Sequence, residues 1–116
     1  NIWIGFYGGQ VFRLKDGKFR DFTEEGLIPR NLVYKFLTDK KGRLWISTSS
    51  RGLFRVDEPN AETPVFASFA TANGLSSNSG YCLAEDKFGR IYVGTGRGIN
   101  QIDSETGRIK IFTAND

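Results

Sequence analysis

Short runs of β-branched and aromatic residues alternate with turns rich in Gly, Asn, Asp and Ser along the whole chain. Runs of this kind, bounded by turn residues, are typical of β-strands. No stretch sustains the 3.6-residue periodicity of an amphipathic helix. The pattern is clearest at residues 74–113, where four such runs predict four antiparallel strands. The sequence therefore predicts an all-β protein.

The four-strand pattern is repeated along the chain. The stretch 26–69 aligns with 74–113 because four residue pairs lie 47 positions apart: Asn31 and Asn78, Tyr34 and Tyr81, Asp39 and Asp86, Gly42 and Gly89. A shorter copy opens the chain, since Trp3, Trp45 and Tyr92 correspond with spacings of 42 and 47. A period in the low to middle forties with β patterning alone indicates four-stranded propeller blades.

We therefore predict a β-propeller fragment with about two complete four-stranded antiparallel blades and three strands of a preceding blade. Counting strands A to D outward from the propeller axis, residues 1–23 form a partial blade (strands B–D), and 27–70 and 75–113 form complete blades of one larger propeller. The strands are expected at 2–5, 11–14, 18–22, 32–38, 43–48, 53–56, 65–69, 80–85, 91–94, 99–102 and 108–112.

Blade packing makes further predictions. A blade packs face to face against two neighbours, so its middle strands are expected to be buried on both sides. Gly5 and Gly94 are expected to let a neighbouring backbone approach closely. Cys82, the only cysteine, is expected to be a buried small hydrophobic residue, with a reactive thiol as the alternative. Because the repeat is cut at both ends of the chain, two blade faces are expected to be uncovered and to promote self-association.

Composition argues against several function classes. The net charge of +3 is mild and basic residues are interleaved with acidic ones, so no nucleic-acid partner is expected. No apolar run approaches the roughly 18 residues that a membrane helix needs, so the segment is not expected to span a membrane. The chain has no histidine, the commonest general base and metal ligand. We predict no catalytic residue, no metal site and no cofactor in this segment.

Three motifs have a structural and a functional interpretation. Asp39 and Asp86 precede a glycine by three positions, and a turn-stabilising carboxylate is favoured over a calcium ligand because each turn offers one carboxylate. Residues 94–98 (GTGRG) resemble a phosphate loop but lead into a strand, which favours a β-turn. The aromatic residues are expected to pack in the core or at blade edges, among them Phe66, Phe69 and Phe88.

The segments LIPRNLVYKFLTDKKGRLWIST and LSSNSGYCLAEDKFGRIYVGT resemble the two-component regulator propeller repeat. Its usual form is roughly L-P-x-N-x-V-x-x-I-x-x-D-x-x-G-x-[IL]-W-[IV]-G-T, followed by a G-[IL] pair. Both complete units resemble it, and residues 3–5 (WIG) suggest a third copy. The departures are mild packing changes: Ser47 replaces Gly, Tyr92 replaces Trp, and Gly80 replaces Val.

The resemblance implies a noncatalytic ligand-sensing segment of a bacterial two-component or hybrid sensor kinase, or of a related receptor, on the periplasmic or extracellular face of the membrane. Such repeats typically form seven-bladed propellers that precede a membrane helix and a histidine kinase, diguanylate cyclase or hybrid regulator. Several members respond to oligosaccharides, so a small-molecule or oligosaccharide ligand is expected. Two alternatives stay open: a propeller scaffold that binds another protein, and part of a propeller lyase or hydrolase.

Ligand-binding residues are expected in the D–A and B–C loops, which share one end of a propeller. Arg, Asn and Tyr suit a sugar or a carboxylate through directed hydrogen bonds and ring stacking. For Asn31 and Asn78 the alternative is an Asx turn before strand A, and for Arg51 and Arg97 it is ordinary solvated charge. Residues that do not recur are the better ligand candidates. The predicted set is Tyr7, Arg30, Asn31, Arg51, Asn78 and Arg97.

Overall fold

The computed structural model describes residues 1–113, which form eleven β-strands and a short 3₁₀ turn, Thr71–Asn73. Each predicted strand is present, and its bounds differ from the expected ones by at most one residue at either end. The strands are β1 Ile2–Gly5, β2 Val11–Lys15, β3 Lys18–Asp21, β4 Val33–Thr38, β5 Leu44–Thr48, β6 Leu53–Val56, β7 Phe66–Phe69, β8 Gly80–Glu85, β9 Ile91–Thr95, β10 Gly98–Ile102 and β11 Ile109–Phe112.

The strands form three antiparallel sheets in chain order. The first sheet contains β1–β3, the second β4–β7 and the third β8–β11, and each strand pairs with the next along the chain. Asp16 and Gly17 join β2 to β3, and both have positive φ (53° and 76°) as a tight two-residue hairpin turn requires. The predicted all-β fold is confirmed. Within residues 1–113 no helix is long and apolar enough to cross a membrane.

The second sheet is covered on both faces, as predicted for a middle blade. All five residues of β5 are buried. Because successive side chains of a strand point to opposite faces, Leu44 and Ile46 pack toward the first sheet and Trp45 toward the third. The buried cores are Val11, Phe22, Ile28, Leu44, Ile46, Phe54 and Val56 on one side, and Trp45, Leu53, Leu75, Leu83, Ile91, Val93 and Ile102 on the other.

The outer faces of the first and third sheets are uncovered in the described structure. On the first sheet Ile2 and Phe19 are exposed, and on the third Ile99 is exposed. Cys82 is also exposed, so the prediction that it is buried is wrong. The physical reason is alternation along β8, which turns Leu83 into the core and Cys82 toward the uncovered face.

Gly5 and Gly94 make room for side chains and not for a neighbouring backbone. The prediction that a backbone approaches these glycines closely is therefore wrong. A Cβ built at Gly94 would lie 2.5 Å from Sγ of Cys82. A Cβ built at Gly5 would lie 3.0 Å from Cβ of Val33 in the second sheet. A larger residue at Gly5 would press on Val33 of the facing sheet, and a larger residue at Gly94 would displace the side chain of Cys82.

Candidate functional site at the upper end of the sheets

The loops after β1, β5 and β9 and the connections that lead into β4 and β8 lie at one end of the sheets. We call it the upper end; its segments are 6–10, 22–32, 49–52, 70–79 and 96–97. The backbone N–H of Asn31 donates to the carbonyl of Gly9 at 3.0 Å, and the N–H of Gly52 donates to the carbonyl of Asn78 at 2.8 Å. The loop of one sheet is thus bonded to the connection that enters the next.

Asn31 uses its side chain to join two loops, and Asn78 uses its side chain to close the connection in which it lies. Oδ1 of Asn31 accepts from Oγ of Ser49 and from the N–H of Ser50, both at 2.9 Å, and its Nδ2 donates to Oγ of Ser50. Oδ1 of Asn78 accepts from the N–H of Thr71 at 2.8 Å. The predicted Asx turns are therefore wrong, because the side-chain oxygen of Asn31 accepts from the loop after β5 and that of Asn78 accepts from Thr71, seven residues earlier in the same connection. Both asparagines position the upper loops.

Arg51 and Asn78 share an open cleft of about 400 Å³, which we call the upper cleft. The backbone of Arg51 is fixed by a 3.0 Å hydrogen bond from its N–H to Oγ1 of Thr48, while its side chain is exposed. Polar groups thus converge on apolar walls, an arrangement typical of sites for small polar ligands. The lining residues are Pro29, Ser50, Arg51, Phe54, Ser68, Ala70 and Asn78.

The other predicted site residues lie in separate upper loops. Arg30 packs over Gly9, where a built Cβ would lie 2.7 Å from Cγ of Arg30 and where φ is +90°. Tyr7 lies in the turn after β1 and is 94% exposed. Arg97 lies in the two-residue turn from β9 to β10, and its N–H donates to Oγ1 of Thr95 at 3.0 Å. The β-turn interpretation of the GTGRG segment is confirmed.

At the opposite, lower end, Asp39 organises the turn from β4 to β5. Its Oδ1 accepts from the N–H groups of Lys41 and Arg43, and its Oδ2 accepts from Nε of Arg43 and Nε1 of Trp45, both at 2.8 Å. Burial by itself would raise the pKa of Asp39, but the hydrogen bonds from Trp45 and Arg43 hold that pKa below its usual value. The predicted turn-stabilising role is confirmed.

Asp86 makes the same set of bonds in the third sheet. Its Oδ1 accepts from the N–H groups of Phe88 and Arg90, and its Oδ2 from Nε of Arg90 and the hydroxyl of Tyr92. Against the opposing effect of burial, these bonds hold the pKa of Asp86 well below its usual value. Tyr92 thus replaces the tryptophan of the second sheet and keeps its hydrogen bond. Within residues 1–113, no three His, Cys, Asp or Glu side chains come together as metal ligands.

A stack of arginine on aromatic rings, not predicted from the sequence, recurs beside these anchors. The guanidinium of Arg55 lies 5.9 Å from the ring centre of Trp45, and that of Arg13 lies at the same distance from Trp3. In the third sheet, Nε2 of Gln101 instead donates to the hydroxyl of Tyr92. The sequence contains a signal for this stack, because Arg13 and Arg55 lie 42 positions apart, as do Trp3 and Trp45.

Arg13 also holds the long loop between β6 and β7. Its side chain is 2% exposed and donates to the carbonyls of Pro59, Ala61 and Glu62. These bonds attach the loop of the second sheet to the first sheet. Because a buried guanidinium without partners is costly, the loop and Arg13 stabilise each other.

Phe88 departs from its predicted packing, whereas Phe66 and Phe69 pack against the two cores as expected. The Phe88 ring is exposed at the tip of the lower turn. There the cations of two neighbouring residues lie near the ring, with Nζ of Lys87 at 5.2 Å and Cζ of Arg90 at 4.9 Å from the ring centre. Phe88 lies in the turn between β8 and β9 and not on a strand, so its ring does not face either sheet core.

A second cleft, of about 350 Å³, lies at the lower end between the second and third sheets. Its charges are largely matched within the chain. Arg43 pairs with Asp39, Arg90 pairs with Asp86, and Lys41 pairs with Glu105. Of these pairs, Lys41–Glu105 joins the second sheet to the third, and the matching of charges leaves the upper cleft as the better ligand site.

Two comparisons agree on the relatives of this chain. Residues 27–50 and 74–97 match the model of the two component regulator propeller family. The chain is similar to the extracellular domain of BT3049 from B. thetaiotaomicron, described as a hybrid two component system. Identity is 26% and the TM-score is 0.79, over 96% of this chain and 15% of that one.

Two structures of the extracellular domain of BT4673, also from B. thetaiotaomicron, share the fold. Their TM-scores are 0.69 at 22% and 21% identity, over 98% of this chain and 18% of each of theirs. The chain therefore spans less than a fifth of these relatives. No curated protein matches the chain. The likeness to extracellular domains supports an extracellular or periplasmic location, and two segments of the chain resemble the repeat of the two component regulator propeller family.

Proposed function

We propose that this chain is a noncatalytic, ligand-sensing segment of the propeller of a bacterial two-component or hybrid sensor kinase, or of a related receptor. The observation that carries the receptor role is the likeness to the BT3049 extracellular domain over 96% of the chain. The signal would be read outside the cytoplasm and passed to an output domain elsewhere in the protein, such as a histidine kinase or a diguanylate cyclase.

The upper cleft supports ligand binding, and we propose an oligosaccharide as its ligand. The exposed guanidinium of Arg51 offers several donors in a fixed plane, and the amide of Asn78 and the hydroxyl of Ser50 add both donors and acceptors. Asn31 keeps Ser50 in place. Sugar hydroxyls are recognised by such directed bonds. Tyr7, Arg30 and Arg97 remain ligand candidates on the neighbouring upper loops.

Binding rather than catalysis is supported by how the carboxylates are used. Asp39 and Asp86 each accept four hydrogen bonds from their own turn and from the strand that follows it, so neither is free to move a proton to or from a substrate. The sequence contains no histidine that could replace them. In this proposal, any enzymatic activity of the whole protein belongs to its output domain.

An Arg51→Ala change is expected to weaken oligosaccharide binding about tenfold, because a charge-assisted hydrogen bond contributes about 1.5–3 kcal/mol. The measurement is isothermal titration of the whole protein with a sugar that it binds on a glycan array. Arg108→Ala is the matched control, since Arg108 is exposed at the lower end and should leave affinity unchanged.

Two results would contradict the proposal in different ways. If the unmodified protein binds no oligosaccharide on the array, the ligand class is wrong. If it binds a sugar but Arg51→Ala and Arg108→Ala bind equally well, the upper cleft is not the site.

We also propose that residues 1–23, 27–70 and 75–113 are successive blades of one larger, seven-bladed ring, and that further blades cover the outer faces of the first and third sheets. The small share of the relatives that this chain spans supports this arrangement. The exposed apolar residues on those faces support it too, since such patches on soluble proteins generally mark interfaces.

The chain by itself is therefore expected to self-associate through these faces at micromolar concentration, as measured by sedimentation velocity. Phe19→Glu should reduce the association, because Phe19 lies on the uncovered face of the first sheet. Val65→Glu is the control, since Val65 is exposed in the loop before β7. A compact monomer, or equal effects of both changes, would show that these faces do not drive association.

A further inference from the structure

The innermost strands of the second and third sheets carry the same irregularity. In the second sheet Val33 pairs with Thr48 and Lys35 pairs with Ser47, so Tyr34 between them has no partner on β5. In the third sheet Gly80 pairs with Thr95 and Cys82 pairs with Gly94, which leaves Tyr81 without one. The extra residue of each bulge is therefore a tyrosine, at equivalent positions of the two repeats.

Packing on either side of the bulge agrees with this register. Val33 and Phe36 both pack against the core between the first and second sheets, although residues three apart on a regular strand point to opposite faces. Likewise Leu83 is buried toward the second sheet, and a Cβ built at Gly80 would lie 3.3 Å from Cβ of Ser47 on the same side. Each bulge changes the direction of one side chain, that of Tyr34 or Tyr81, and the residues on either side of it still face the same core.

The two re-aimed rings meet each other at the edge of the sheets. Their centres are 5.5 Å apart, and Tyr34 and Tyr81 are 45% and 55% exposed. Within residues 1–113 neither hydroxyl has a hydrogen-bond partner. A Cβ built at Gly96 would lie 3.7 Å from Cε2 of Tyr81, which places the pair beside the upper turn that carries Arg97. Core packing does not explain why two half-exposed tyrosine rings lie against each other here.

We propose that Tyr34 and Tyr81 form an aromatic platform that stacks against the apolar ring face of a sugar unit. Rigid, half-exposed tyrosines supply a large contact area at low entropic cost and offer free hydroxyls at the rim. The proposal rests on the proposed oligosaccharide-binding function and adds a second subsite at the upper end, on β4 and β8 beside the turn from β9 to β10. Arg97, on the turn beside Tyr81, is placed to contribute hydrogen bonds to the same unit.

The test uses the whole protein and short neutral oligosaccharides selected on a glycan array. The double change Tyr34→Ala with Tyr81→Ala is expected to weaken binding about tenfold or more. The double change to Phe keeps the ring faces and should stay within about twofold of the unmodified protein. Phe88→Ala is the matched control, because it removes an exposed ring from the opposite end of the third sheet. Thermal unfolding of each variant verifies that it is folded.

The outcomes separate this inference from the function on which it rests. If the unmodified protein binds a sugar and the folded double Ala variant binds it equally well, the platform is wrong and the proposed function stands. If the double Phe variant is as weak as the double Ala variant, stacking is not the interaction. If the unmodified protein binds no oligosaccharide, the proposed function fails, and the platform fails with it.

Discussion

An Asp39→Asn variant is expected to lose about 3 kcal/mol of unfolding free energy, although the two side chains have the same shape. The amide nitrogen would face Nε of Arg43 and Nε1 of Trp45, which are both donors now held by Oδ2 at 2.8 Å. Two buried donors would lose their acceptor, and Arg43 would lose its counter-charge. Urea denaturation of the variant and of the unmodified protein measures the difference.

Asp57→Asn is the control for the loss of a carboxylate. Asp57 pairs with Arg55 at the surface, where its side chain is 58% exposed, and such pairs contribute at most about 1 kcal/mol. If both variants lose the same stability, the four-bond anchor at Asp39 is not important for the fold.

The same anchor predicts a dependence on pH. Since the pKa of Asp39 is lower in the folded than in the unfolded state, its contribution is full above the unfolded value and is lost as pH falls through the folded value. The unmodified protein should therefore lose stability below about pH 4 more steeply than Asp39→Asn does. Parallel pH profiles would contradict this.

A Trp45→Ala variant is expected to lose about 3–5 kcal/mol, the range for removing a large buried aromatic side chain. Trp45 is fully buried between the second and third sheets, so its removal leaves a cavity, and the ring beneath Arg55 is lost with it. Differential scanning calorimetry should show a lower melting temperature.

Trp45→Tyr is the matched control, because the third sheet already contains this arrangement. There the hydroxyl of Tyr92 donates to Asp86 at 2.9 Å and accepts from Gln101. We expect Trp45→Tyr to cost about 1–2 kcal/mol, and a second change, Arg55→Gln, to recover part of that loss by reproducing the third sheet. A Tyr variant as unstable as the Ala variant would show that the hydrogen bond to the carboxylate matters little.

The strands were predictable because each repeat carries the same local signals. Asp39 and Asp86 each begin a turn, and a glycine three positions later completes it. Between these turns, runs of strand-forming residues alternate with short runs of turn residues. Asp16 and Gly17 specify their hairpin by backbone preference alone. These are short-range effects, and a single sequence is sufficient to specify them.

Burial and contact partners were less predictable, because they depend on which sheet lies opposite. Cys82 was expected to be buried and Phe88 to pack against other residues, yet no described segment covers either side chain. Asn31 and Asn78 recur as expected for structural residues, but their partners differ: the partner of Asn31 lies on another loop, and that of Asn78 lies seven residues earlier in the same connection. The bulges could not be predicted either, since a strand with one extra residue has no distinct composition.

The most direct test of the account is hydrogen–deuterium exchange of the whole protein with and without an oligosaccharide that it binds. We expect slower exchange at residues 29–31, 49–52 and 76–81, which lie around the upper cleft and the tyrosine pair. The lower turns at 39–43 and 86–90 should not change. Protection of the lower turns, with none at the upper loops, would contradict the assignment of this end as the ligand site.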